Sequence, residues 1–145
     1  MKLKTIGFTQ KSAEEFFALL RENGVERVVD IREHPGGQLS GFAKQGDLRY
    51  FLKALNNCDY VHLEELAPSA EVLKAYRADH NWEKYRGAFL KLMKERNIPE
   101  TLDRKLFEEK TCCLLCSEKS ADTCHRKLVA ELLVANWPDV EVINL

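Results

Sequence analysis

Residues able to do covalent or acid-base chemistry cluster in the last third of the chain. Cys116 and Glu118 follow an apolar run, and the triplet Cys124-His125-Arg126 comes shortly afterwards. Basic neighbours and a helix N-terminus lower the pKa of a thiol towards neutrality. This pattern predicts a thiolate nucleophile at Cys116. The alternative is that Cys116 is a buried packing residue, as free cysteines often are.

Two carboxylates are candidates for general acid and base. Asp30 ends a β-branched run and Glu118 follows the apolar run. Carboxylates in different surroundings have pKa values that move apart, which suits one as acid and the other as base. We therefore predict Asp30 and Glu118 as catalytic residues. The alternative for Asp30 is an ion pair with Arg32 that orders the loop around Pro35.

Cations and a helix start near these residues indicate an anion site, because helix N-termini and arginines bind anions. Nine residues separate Cys116 from Arg126. That spacing is longer than the tight anion cradle between the Cys and Arg of phosphatases and rhodaneses, which argues against both mechanisms. The predicted substrate- or anion-binding residues are Arg32, Arg126, His125, Thr9 and Glu65.

A metal site is a further alternative for the same segment. Zinc binds cysteine and histidine, so Cys116, Cys124 and His125 are candidate ligands, with Glu118 or Asp122 in addition. Adjacent residues of a helix point about 100° apart, which disfavours binding of one ion by both Cys124 and His125. The sequence also lacks a cofactor motif, so we predict no cofactor and keep zinc as the alternative.

These residues follow predicted strands. Hydrophobic patterning predicts strands near residues 2–8, 25–31, 60–63, 111–116 and 140–145, separated by amphipathic helices. Residues 68–96 are predicted to be helical throughout. Strands joined through helices lie parallel, and their carboxyl ends form the ligand-binding edge. We predict a single α/β domain over residues 1–145, with three layers and a mainly parallel sheet of about four to five strands flanked by helices.

Composition excludes some classes of partner. Twenty-two Lys and Arg against 23 Asp and Glu give a net charge of −1, so nucleic-acid binding would need a local basic patch. The chain has no apolar run long enough for a membrane span and no signal peptide, which predicts a cytoplasmic protein without a membrane partner. Four of the five cysteines lie between Cys112 and Cys124, a layout that favours reduced thiols.

The chain resembles, nearly end to end, the bacterial and archaeal domain-of-unknown-function family 488. The matching segments are Thr5-Ile6-Gly7, Val29-Asp30-Ile31-Arg32 with Pro35, Tyr60-Val61-His62-Leu63 with Glu65-Leu66, Leu115-Cys116 with Glu118, and Cys124-His125-Arg126. It departs from the usual pattern at Phe8-Thr9, where members often have His-Ser, and at Ala67, where glycine is common. The resemblance implies an α/β fold and a shared polar site, and carries over no reaction.

Three functional hypotheses follow. The first is an enzyme that acts on a small anionic or nucleotide-like substrate at a Cys, Glu and Arg site. The second is a phosphate-, nucleotide- or nucleic-acid-binding module without catalysis, in which the cysteines only pack. Its phosphate-binding residues would be Arg32, His34, Lys44, Arg49 and Arg126. The third is an adaptor protein, which a large exposed apolar patch would indicate.

Overall fold

The fold is built on one parallel sheet. A computed structural model describes residues 1–36, 38–118 and 123–145. Five strands lie in these ranges: β1 (Lys2–Gly7), β2 (Arg27–Asp30), β3 (Asp59–His62), β4 (Cys112–Cys116) and β5 (Glu141–Asn144). Their spatial order is β3-β2-β4-β1-β5, and every neighbouring pair is parallel. The predicted three-layer α/β fold is confirmed.

Helices connect the strands. Within the described ranges they are α1 (Ala13–Glu22), α2 (Gln45–Asn56), α3 (Ala70–Asp79), α4 (Trp82–Glu95), α5 (Arg104–Glu108) and α6 (His125–Asn136), with 3₁₀ segments at Gln38–Ala43 and Glu64–Leu66. The predicted cap of α1 forms, because the Ser12 hydroxyl accepts a hydrogen bond from the Glu15 backbone N–H. None of the helices in the described part of the chain is both long and apolar enough to cross a bilayer.

The two faces of the sheet carry separate cores. The chain passes from β1 through β2 to β3 in one direction and returns through β4 to β5, so right-handed crossovers place the helices on opposite faces. Phe16 of α1 and Leu52 of α2 pack on one face. Phe89 of α4 and Leu133 of α6 pack on the other.

Strand β4 lies at the centre of the sheet and is buried at every position. Its side chains alternate between the two cores: Cys113 and Leu115 belong to the α1 and α2 side, whereas Cys112, Leu114 and Cys116 belong to the α4 and α6 side. The last residue of β4 therefore faces the layer that contains the start of α6.

The prediction that residues 68–96 are helical throughout is wrong in one respect, because the structure has two helices there, α3 and α4. His80 ends α3 in the left-handed conformation with φ of 50°. The Asn81 side chain then accepts the Lys84 backbone N–H and starts α4. This turn brings the Tyr76 ring against Tyr85, with ring centroids 4.7 Å apart.

Candidate active site

A cavity of about 440 Å³ opens at the carboxyl edge of the sheet. This volume lies in the range of about 300–1,000 Å³ that is typical of small-molecule sites. The cavity is lined by Arg32, Glu33, His34, Pro68, Leu73, Tyr76, Arg77, His80, Tyr85, Cys116, Ser117, Glu118, Thr123, Cys124 and His125. Five of the predicted site residues therefore share it: Arg32, Cys116, Glu118, Cys124 and His125.

Two cysteine sulfurs meet at one end of this cavity. The structure joins Cys116 to Cys124 in a disulfide, whereas the sequence favoured reduced thiols throughout. The sulfurs meet because Cys116 ends β4 and Cys124 is the N-cap of α6 at the same edge of the sheet. Cys58, Cys112 and Cys113 are buried free thiols, as expected.

His125 is half-buried beside these sulfurs. Its Nε2 lies 2.7 Å from the carbonyl oxygen of Ile31. A carbonyl only accepts hydrogen bonds, so Nε2 carries the hydrogen and Nδ1 of the neutral ring carries a lone pair. Burial, reinforced by the charge of Arg126, lowers the pKa of His125 to about 4 despite the bond to Ile31. The imidazole is therefore neutral at neutral pH.

The side chains of Cys124 and His125 converge, contrary to the divergence predicted for adjacent helical residues. Cys124 Sγ lies 3.9 Å from His125 Nδ1. The helical rule fails because Cys124 is the N-cap and has extended backbone, with φ of −121° and ψ of 143°. Only His125 is helical.

Arg126 lies beneath the cavity and does not line it. Its side chain is 1% exposed, and its Nη1 donates to the Glu118 carbonyl oxygen at 2.5 Å and to Cys116 Sγ at 3.3 Å. A Cβ atom at Gly7 would lie 2.5 Å from this Nη1, so glycine is needed there. Arg126 thus holds the chain after β4 and places a positive charge against the Cys116 sulfur.

Asp30 and Arg32 form the buried ion pair that the sequence offered as an alternative to catalysis. The Asp30 carboxylate accepts from Arg32 Nε at 2.8 Å and Nη2 at 2.7 Å, and from the Tyr60 hydroxyl at 2.6 Å. Burial and the bond to Asp30 raise the pKa of Tyr60. Asp30 is fully buried behind Arg32 and is not among the residues that line the cavity.

The two terminal nitrogens of the Arg32 guanidinium differ in their hydrogen bonding. Its Nη2 also donates to the Ala43 carbonyl oxygen at 2.7 Å. In contrast, Nη1 is buried and has no hydrogen-bond partner among the described residues, although Arg32 lines the cavity.

Thr9 and Glu65 do not line the cavity. The Thr9 backbone N–H donates to the Ser117 carbonyl oxygen at 3.0 Å, and its hydroxyl donates to the same oxygen. Thr9 therefore supports the chain that follows β4. Glu65 is exposed in a 3₁₀ segment, and its carbonyl oxygen accepts from Arg96 Nη1 at 2.9 Å. Asp122, the additional ligand considered above, lies outside the described residues.

Helices α3 and α4 contribute cavity-lining residues that the sequence did not predict. Tyr76, Arg77 and His80 line the cavity from the end of α3, and Tyr85 lines it from α4. A signal was present. Asp79 and Asn81, two residue types that favour helix caps, interrupt the helical pattern on either side of His80.

Comparison with known proteins gives a family and no individual relative. No curated protein matches the chain, and no solved structure matches it. The profile of the family described as Domain of unknown function DUF488 matches residues 12–133 of the 145. The matched range contains every residue named above as lining the cavity, from Arg32 to His125. The chain belongs to the DUF488 family.

Proposed function

We propose that this protein is an enzyme that binds a small anionic, nucleotide-like substrate in the cavity at the carboxyl edge. The observation that carries the proposal is the buried Nη1 of Arg32, a residue of the cavity wall, for which the described part of the chain offers no hydrogen-bond acceptor. A buried donor without a partner costs about 1–3 kcal/mol. A ligand oxygen that accepts from Nη1 would recover this free energy.

The guanidinium of Arg32 is held in place before any ligand arrives. Asp30 and the Ala43 carbonyl fix its Nε and Nη2, so little side-chain freedom is lost on binding. Because Asp30 also neutralises much of the charge of Arg32, a second cation would help to bind an anion. Exposed Arg77 supplies one at the cavity wall.

The aromatic side of the cavity suits a planar group. Tyr76 and Tyr85 both line it and pack against each other, and Pro68 and Leu73 add apolar surface. Aromatic side chains stack on nucleobases with little dependence on their identity. Cationic and aromatic groups in one cavity therefore favour a nucleotide-like ligand over a bare inorganic anion.

Two groups are available for the chemistry. Glu118 is exposed and lines the cavity, where its carboxylate would act as general acid or base, and its backbone carbonyl accepts from Arg126. Cys116, once reduced, offers a thiolate that Arg126 stabilises. A thiolate serves an enzyme as a nucleophile or as a metal ligand, and the neighbours of Cys116 favour the second use.

Ligand binding is tested with matched charge variants in α3. The reduced protein is titrated with phosphate, pyrophosphate, nucleoside mono- and triphosphates and a short single-stranded oligonucleotide, by calorimetry and thermal shift. We expect nucleotides to bind, Arg77→Gln to weaken binding about tenfold, and Lys74→Gln to leave it unchanged, because Lys74 does not line the cavity. Equal loss in both variants, or no binding by any compound, would overturn the proposal.

Catalysis is tested on the compounds that bind. Each is incubated with reduced protein, with and without added zinc, and the products are followed by mass spectrometry. We expect turnover that Glu118→Gln abolishes while binding persists. If a ligand binds tightly but is recovered unchanged in every condition, the protein is a binding module and not an enzyme. Binding of the oligonucleotide that weakens steeply with salt would identify nucleic acid as its ligand.

A further inference from the structure

We propose that Cys116, Cys124 and His125 form a zinc site whose open coordination position faces the cavity. Cys116 ends β4, Cys124 caps α6, and His125 is the first residue of α6. One ligand atom from each of the three residues lies within 4.8 Å of the other two. Residues from two separate elements are thus gathered around one point, and both cysteines are almost fully buried.

The distances fit ligands that share an ion. In tetrahedral zinc sites the Zn–S and Zn–N distances are about 2.3 and 2.05 Å, which places the sulfur and nitrogen about 3.6 Å apart. Cys124 Sγ and His125 Nδ1 are 3.9 Å apart. The Cα atoms of Cys116 and Cys124 are 7.6 Å apart, whereas disulfides usually span about 4.4–6.8 Å. This Cα spacing leaves room for an ion between the two reduced sulfurs.

The orientation of His125 is that of a metal ligand. Histidines that bind metals almost always donate their other ring N–H to a carbonyl or a carboxylate, which fixes the ring and its tautomer. Here Nε2 donates to the Ile31 carbonyl, and the Nδ1 lone pair is left on the side of Cys124. This carbonyl belongs to Ile31, the residue directly after β2, so backbone at the end of a strand fixes the orientation of the ring.

The charge around the sulfurs also fits. Arg126 Nη1 lies 3.3 Å from Cys116 Sγ, and a fixed positive charge favours the thiolate form that binds metal. Two thiolates and an imidazole favour zinc over harder cations such as magnesium or calcium.

Three protein ligands leave one tetrahedral position, which is the arrangement of catalytic zinc. All three residues line the cavity, so the fourth position is open to a water molecule or a substrate group. Zinc lowers the pKa of a bound water to about 7. The action of the ion on a substrate rests on the function proposed above, but its binding does not.

The test uses cobalt(II) and zinc(II) on the full chain, purified under reducing conditions and without any anionic ligand. We expect one metal ion per chain by elemental analysis. The cobalt form should show visible bands of a tetrahedral site and a near-ultraviolet band of thiolate ligation. These spectra need no substitution, so they remain informative if a variant fails to fold.

Matched variants on one strand identify the ligands. Cys116→Ala removes a proposed ligand, whereas Cys112→Ala removes an equally buried thiol from the same face of β4. Loss of groups that only support ligands costs 10- to 100-fold in affinity. We therefore expect Cys116→Ala and Cys124→Ala to weaken zinc binding at least about 100-fold, and Cys112→Ala to leave it unchanged.

Several results would overturn the zinc site. They are the absence of stoichiometric metal, a cobalt form without thiolate bands, equal effects of Cys116→Ala and Cys112→Ala, or a Cys116–Cys124 disulfide that persists in excess reduced glutathione. The two proposals fail separately. Zinc binding without any anion binding removes only the proposed function, and anion binding by a protein that holds no metal removes only the zinc site.

Discussion

The chain after β4 passes Gly7 so closely that a Cβ atom at Gly7 would overlap the carbonyl oxygen of Glu118. Arg126 Nη1 reaches the same oxygen from below. The last residue of β1 thus determines where the Glu118 side of the cavity can lie.

Gly7→Ala should destabilise the protein. The new methyl group meets backbone and a buried guanidinium, neither of which can move freely, so we expect a loss of about 1–3 kcal/mol in the free energy of unfolding. Urea unfolding measures it. Gly87→Ala is the control, because beyond the backbone of α4 itself the added Cβ meets none of the described residues within 4 Å, and it should stabilise the helix by about 0.5–1 kcal/mol. A Gly7→Ala protein that is as stable as the unsubstituted one would contradict the close approach at Gly7.

Asp30→Asn should lower the free energy of unfolding more than the substitution of any exposed charged residue. The substitution leaves the Arg32 guanidinium buried without its counter-charge, and breaking such a pair costs about 3–5 kcal/mol. Tyr60→Phe removes one hydrogen bond to the same carboxylate and should cost about 1.5–3 kcal/mol. Tyr50→Phe is the control at an exposed ring, with an expected change below about 0.5 kcal/mol. If Asp30→Asn and Tyr50→Phe lower the free energy of unfolding by the same amount in urea, the ion pair does not stabilise the buried Arg32 side chain.

Buried thiols outside the cavity should resist alkylation. Burial raises the pKa of Cys58 and of Cys112 to about 11, and it also raises that of Cys113, so the reactive thiolate is scarce at pH 8. With reduced native protein and iodoacetamide, peptide mass spectrometry should show these three thiols unmodified. Unfolding in urea should expose all of them, which serves as the internal control. Rapid native modification of Cys112 would show that this end of β4 is open to solvent.

The sequence predicted which residues lie at the carboxyl edge of the sheet better than it predicted how deeply each side chain is buried. Arg32, Cys116 and His125 were predictable because apolar runs locate strand ends, and parallel strands bring those ends together. Asp30 and Arg126 follow the same logic, but they lie behind the cavity surface. Their depth depends on partners from distant segments, such as Tyr60 and Gly7, which local patterns do not show.

Backbone conformation explains the other differences. The break at His80 needs one residue in the left-handed region, and the convergence of Cys124 with His125 needs an extended N-cap. Each is a change at a single residue within an otherwise regular pattern. Cap-forming residues around His80 gave a readable signal, whereas a cysteine at an N-cap has no strong preference that would have revealed it.

Alkaline pH should destabilise the reduced protein through its buried thiols. Cys58 and Cys112 have an ordinary pKa of 9.0 and a folded pKa of about 11, so the folded state binds their protons more tightly than the unfolded chain does. Their contribution is complete below pH 9 and is lost as the pH rises through about 11.

Within that window each thiol should lower the free energy of unfolding by up to about 1.4 kcal/mol per pH unit. Urea unfolding at a series of pH values measures the slope, and Cys58→Ala with Cys112→Ala should flatten it. The raised pKa values of Tyr60 and Tyr85 act in the same direction, so some alkaline loss should remain in the double variant. An unchanged slope in that variant would show that neither thiol loses its proton on unfolding, which contradicts their burial as neutral groups.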